Sequence, residues 1–132
     1  PELKAIHAKL VGSLPLLDYE ESWDDDGAEA FTPEVFVNMF RFLVGYANEI
    51  FDTYGKVLAT PAIGPFGNGS LDVSWRTPTT RFLVNIRTYK DNYKAYFYGD
   101  LRDQEEMPIE GNVPVAPIQD HLLAWMRHYL TS

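Results

Sequence analysis

The residues best suited to chemistry form one acidic run, Glu20-Glu21-Ser22-Trp23-Asp24-Asp25-Asp26-Gly27. Clustered carboxylates are the ligands that hard cations such as Ca²⁺ and Mg²⁺ take. An EF-hand frame does not fit, because placing Gly27 at the invariant glycine puts Ser22 at the first ligand position and Pro33 where the closing glutamate belongs. The plain reading is a solvated acidic loop with Trp23 plugged into the core and Asp26 or Gly27 shaping a turn. A third reading makes Trp23, Asp24, Asp25 and Asp26 a contact for a partner molecule.

The remaining chemistry-bearing types offer less. His121 and His128 lie seven residues apart, about two helical turns, with no acid at ligand spacing between them, and His7 is remote in sequence. Gly64-Pro65-Phe66-Gly67-Asn68-Gly69 is glycine-rich, but strand patterning follows it, so it lacks the helix N-terminus that a phosphate cradle needs. With no cysteine in the chain, disulfides, zinc-thiolate sites and thiol nucleophiles are excluded. No catalytic residue, metal site or cofactor is therefore assigned.

A second constellation depends on strand alternation. If Phe82, Val84, Ile86, Ala95 and Phe97 face a core, then Arg76, Arg81, Leu83, Asn85, Arg87, Lys94, Tyr96 and Tyr98 face outward. Tyrosine and arginine are the types that anchor protein interfaces. Aromatics interleaved with bases also stack on nucleobases in sheet-based RNA binders. The bland alternative is cross-strand tyrosine packing with solubilising charges. The basic face is also able to receive the chain's own acidic loop.

These residues need elements to position them. Leu3, Ile6 and Leu10 predict a short helix over 2–11, ended by Pro15. Thr32-Pro33-Glu34 is a strong helix start, with a threonine cap, proline at the first helical position and an acid in the first turn. Phe36, Phe40, Leu43, Ala47, Ile50, Phe51 and Tyr54 then define the expected apolar face, and Gly55 the stop. From residue 60 the period becomes two. Strands are expected around Leu71–Trp75, Phe82–Ile86 and Ala95–Tyr98, with an edge strand at 60–66 where Pro61 and Pro65 are tolerated. Residues 102–117, with three prolines, read as a loop, and a closing helix presents Ile118, Leu122, Trp125, Met126 and Tyr129. Short strands joined by tight turns must pair antiparallel. The expected fold is one α+β domain over 1–132: a two-layer sandwich with an antiparallel sheet of three to four strands, two main helices on one face, and a short N-terminal helix.

Charge is segregated within a net −8. Residues 1–52 hold 11 acids against three bases, residues 53–99 six bases against two acids, and residues 100–132 six acids against two bases. Overall acidity argues against non-specific nucleic-acid binding and leaves room for a basic protein partner or self-association. No apolar run is long enough to cross a bilayer, and Pro1-Glu2-Leu3-Lys4 lacks the layout of a secretory signal, so a cytoplasmic location is expected.

Ser22-Trp23-Asp24-Asp25-Asp26-Gly27-Ala28 followed by Thr32-Pro33-Glu34 resembles a group of small bacterial proteins. They read roughly Asn-Trp-Asp-Gly-Tyr-Gly-Ala, then Ser/Thr-Pro-Glu and an amphipathic helix. The resemblance extends to a strand ending in Trp75 and a Tyr-rich strand ending in Tyr98-Gly99-Asp100, with Asp25-Asp26 departing from the usual Gly-Tyr. It implies that Trp23 to Pro33 forms one unit locking a helix to a sheet, and it brings no activity. The leading expectation is a non-catalytic protein-binding module of antitoxin, immunity or chaperone type, contacting through Arg76, Arg87, Tyr96 and Tyr98 or through the acidic loop. The alternatives are a metal-dependent hydrolase or nuclease using Asp24, Asp25 and Asp26 with His121, and RNA binding by the tyrosine face.

Overall fold

Pro33 opens the longest helix, as its fixed φ and missing N–H favour. In a computed structural model of the chain, residues 4–14, 33–66, 69–89, 92–101 and 104–131 are described. Three helices, α1 (Lys4–Gly12), α2 (Pro33–Tyr54) and α3 (Asp120–Tyr129), accompany five strands. These are β1 (Ala62–Phe66), β2 (Ser70–Arg76), β3 (Thr80–Tyr89), β4 (Asn92–Leu101) and β5 (Gln104–Pro114). The strands pair antiparallel in chain order, β1-β2-β3-β4-β5, giving an open meander.

Helix α2 ends as expected. Gly55 has φ of 67° and its N–H donates to the Phe51 carbonyl at 2.9 Å, a left-handed stop that disfavours other residues. The buried stripe is rotated from the expected one. Val35, Phe36, Met39, Phe42, Leu43, Tyr46, Ala47 and Ile50 are buried, while Phe40 and Tyr54 are 40% and 41% exposed. A long run of apolar residues offers several adjoining stripes, and packing against β2, β3 and β4 selects one of them. On α3 the buried residues are Leu122, Leu123 and Met126, with Trp125 only partly covered.

The sheet departs from expectation in one strand. Residues 104–114 form β5 where a loop was expected. Its inward positions include Gly111, which faces Phe97 so closely that a Cβ would come within 3.2 Å of that ring. Glycine there hides the alternation from a reader of the sequence. Pro108 and Pro114 are tolerated because β5 is an edge, where one row of N–H groups has no ladder partner to serve. Strand β1 is the opposite edge, and it carries Pro65 as expected.

The core lies against the face bearing Leu71, Val73, Trp75, Phe82, Val84, Ile86, Ala95 and Phe97, all buried. Trp125 of α3 stacks near Phe82 with centroids 4.9 Å apart. That approach requires Gly99, since a Cβ there would lie 2.7 Å from Phe82 and 2.8 Å from Trp125. Two polar side chains of this layer are partnered, whereas the buried Arg127 Nε on α3 has no hydrogen-bond partner among the described residues. The Trp75 indole N–H donates to the Ala59 carbonyl at 2.6 Å, and the Tyr46 hydroxyl accepts from the Gln119 N–H at 3.1 Å. No helix among the described residues is long and apolar enough to cross a membrane.

Candidate binding face of the sheet

Strand alternation sends every second residue of β2 to β5 away from the helices, and the register arranges them in four rows. Arg76 pairs with Arg81 and Arg81 with Asp100. Next come Ser74, Leu83, Tyr98 and Glu110, then Asp72, Asn85, Tyr96 and Asn112. The last row holds Arg87, Lys94 and Pro114. Successive rows are two residues apart along each strand, about 7 Å.

The two-residue hairpin Pro78-Thr79 sets the first of these registers. Thr77 and Thr80 close it, with the Thr77 N–H donating to the Thr80 carbonyl at 2.9 Å and the Thr77 hydroxyl accepting from the Thr80 N–H at 3.0 Å. Arg76 and Arg81 therefore face each other directly. Arg81 is held from its other side: Nε and one terminal nitrogen donate to the two Asp100 carboxylate oxygens at 3.2 and 3.0 Å. The fork geometry is the strong form of this contact. Asp100 is only 3% exposed, whereas the Arg81 side chain is half exposed.

In the third row, Asn85 Nδ2 donates to Asp72 Oδ1 at 2.8 Å and to the buried Ser70 hydroxyl at 3.0 Å. Burial raises the Asp72 carboxyl above its ordinary range, and the Asn85 hydrogen bond offsets part of that rise. Arg87 lies over the Tyr96 ring, its Cζ 3.8 Å from the centroid, and Lys94 Nζ donates to Asn112 Oδ1 at 3.1 Å. Between these fixed charges Leu83 and Tyr98, cross-strand partners, stand 41% and 43% exposed. They line two adjoining shallow depressions of about 570 Å³ each, one toward Arg76 and Asp100, the other toward Tyr96 and Asn112.

Of the residues expected to act, Arg76, Arg87, Tyr96 and Tyr98 thus share one surface. Trp23, Asp24, Asp25 and Asp26 lie outside the described residues. Sequence reasoning missed Asp100 as the clamp on Arg81, although its parity with Tyr98 already placed it outward. It also missed the bridge that Asn85 makes between Ser70 and Asp72, for which a one-dimensional reading holds no signal. His7, His121 and His128 are exposed on helices, and no three metal-ligating side chains cluster among the described residues. The face offers fixed cations, carboxylate acceptors and an apolar centre, which suits binding. No protein-family model, no curated protein and no solved structure matches the chain.

Proposed function

We propose that the chain is a non-catalytic protein-binding module whose contact surface is the open face of its sheet. On this reading the helices and sheet form two layers, and the helices occupy only the other side. The observation that carries the proposal is the exposed Leu83–Tyr98 pair set between held cations, Arg81 on Asp100 and Arg87 on Tyr96. An apolar and aromatic centre with arginine around it has the composition of an interface hot spot. Side chains already held in place lose less entropy on binding.

The acidic flanks and the sheet face call for opposite partners. Arg76, Arg87 and Lys94 bring positive charge to the face, and among the described residues its carboxylates are Asp72, bridged to Asn85, Asp100, committed to Arg81, and Glu110. A contact made here suits an acidic or neutral surface. Masking a partner's surface is the mode of antitoxins, immunity proteins and secretion chaperones, so the analogy rests on size and charge and not on fold. A nucleobase finds less support, because Arg87 already covers the Tyr96 ring.

The test is capture of partners from the native host by the wild-type chain and by a Tyr96→Ala/Tyr98→Ala double variant, with a photocrosslinker placed at Leu83 or at Val37 of α2. Crosslinks from position 83 that vanish in the double variant support the face. Crosslinks from position 37 alone, or capture unchanged by the double variant, would overturn it. A melting temperature that rises with Mg²⁺ or Mn²⁺ would instead favour the metal-dependent hydrolase.

A further inference from the structure

Arg76 and Arg81 are direct cross-strand partners, and like charges in that position destabilise a sheet. Asp100 offsets Arg81. Arg76 has no hydrogen bond or ion pair among the described residues, so among them one positive charge at this end of the face has no counter-charge. Arg87, three rows away, rests on Tyr96 and likewise has no carboxylate partner among the described residues. Along β3 the outward residues run Arg81, Leu83, Asn85, Arg87, so the face reads cation, apolar, amide, cation at a two-residue period.

An extended peptide has the same period, with alternate side chains on one side and a rise of about 3.3 Å per residue. We infer that the face recognises an extended acidic segment of a partner protein with the pattern acid-x-apolar-x-polar-x-acid. One acid meets Arg76 beside the clamped Arg81, and the apolar side chain rests on Leu83 and Tyr98. The second acid meets Arg87, about 20 Å from the first over six residues. The inference rests on the binding-face reading above and names the chemistry of its occupant. A small carboxylic acid would satisfy one end only, while charge complementarity at both ends asks for a segment of this length. The spacing has a strict consequence: acids five residues apart point to opposite sides of an extended chain and cannot both reach the sheet.

The probe is the capped peptide Glu-Ser-Leu-Ser-Thr-Ser-Glu, together with its order reversed because chain direction is not fixed by the face. Binding is followed at low salt by amide shifts in ¹H–¹⁵N spectra of the full chain. The expected result is saturable movement of Arg76, Leu83, Arg87 and Tyr98 by one of the two orders. Affinity should fall about tenfold or more when both glutamates become glutamine, and by a similar factor in Arg76→Gln or Arg87→Gln protein. Removing one serine, which leaves the acids five apart, should weaken binding as much. Equal binding by the shortened peptide, shifts confined to another surface, or no binding by either order would overturn the inference. A partner that is still captured through Tyr96 and Tyr98 when these peptides fail would leave the binding face standing and remove only its motif. Loss of both removes the face as well.

Discussion

Phe82 and Leu83 are consecutive in β3, and they belong to two surfaces held by different forces. Phe82 is 1% exposed, with Trp75, Phe97 and Trp125 ring centroids 5.8, 6.1 and 4.9 Å away. Leu83 meets solvent beside Tyr98. On the helix side, volume decides what fits: glycine stands at 99 and 111 because aromatic rings take the space a Cβ would need. On the open side, charge and hydrogen bonding decide: Asp100 holds Arg81, Asn85 bridges Ser70 and Asp72, and Tyr96 carries Arg87. One sheet thus carries a face held by close packing and a face held by charge and hydrogen bonds around an exposed cross-strand Leu83–Tyr98 pair.

The sharpest break of the comparison is truncation on both sides of one strand. Phe82→Ala should cost about 3–5 kcal/mol by chemical denaturation, because it opens a cavity among the rings. Leu83→Ala should change stability by no more than about 0.5 kcal/mol, as surface positions do. A large loss from Leu83→Ala would mean that its face is also packed.

Glycines extend the same contrast. Gly99→Ala should cost about 1–3 kcal/mol through overpacking against Phe82 and Trp125. At Gly64, on the outward side of β1, a Cβ meets nothing within 4 Å. Alanine there should be neutral or stabilising by up to about 1 kcal/mol, through a less flexible unfolded chain. Equal losses at the two positions would show that close approach is not what selects Gly99.

Removing the clamp tests whether the open face is itself held. Arg81→Gln leaves the buried Asp100 carboxylate without its cation and should cost about 1–3 kcal/mol. The Arg81→Gln/Asp100→Asn pair should recover part of that loss, and a double-mutant cycle measures the coupling.

The smallest effects are in pH dependence, and they again separate the faces. Tyr46, in the helix layer, has its hydroxyl pKa raised above 10.0 by burial, partly offset by the Gln119 N–H. The protonated phenol is favoured in the fold, so its contribution is complete below pH 10 and declines as pH rises through the folded value. Tyr46→Phe should remove that alkaline decline, at a cost of about 1 kcal/mol near neutrality for the lost hydrogen bond. Asp72, on the open side, is raised above 3.8 by burial. Its stabilising contribution is present below pH 3.8 and is lost as pH rises through the folded value, so the ionised form at pH 7 is a small cost. Asp72→Asn should raise stability at pH 7 by about 0.5 kcal/mol or less, and the gain should shrink toward pH 4.

Much of this architecture is legible without coordinates. Pro33 and Gly55 mark both ends of α2, because proline pre-sets φ at a helix start and glycine accepts the left-handed stop. The alternations Leu71-Val73-Trp75, Phe82-Val84-Ile86 and Ala95-Phe97 assign each side chain to its face, and Arg76, Arg87, Tyr96 and Tyr98 came together as that parity required. Such features are local, fixed by one residue's dihedrals or by a period of two. Three others were decided only in three dimensions. Strand β5 exists because β4 offers it a ladder and Phe97 fits over Gly111, while its prolines and glycine erase the pattern from the sequence. The buried stripe of α2 turned away from Phe40 and Tyr54 because the sheet chose among adjoining apolar rows. The tripeptide Tyr98-Gly99-Asp100 is conspicuous as sequence, but its meaning is tertiary: an exposed ring, a gap for Trp125 and a buried counter-ion for Arg81 on three consecutive residues. Pairing partners distant in sequence supply that meaning, and no local propensity encodes them.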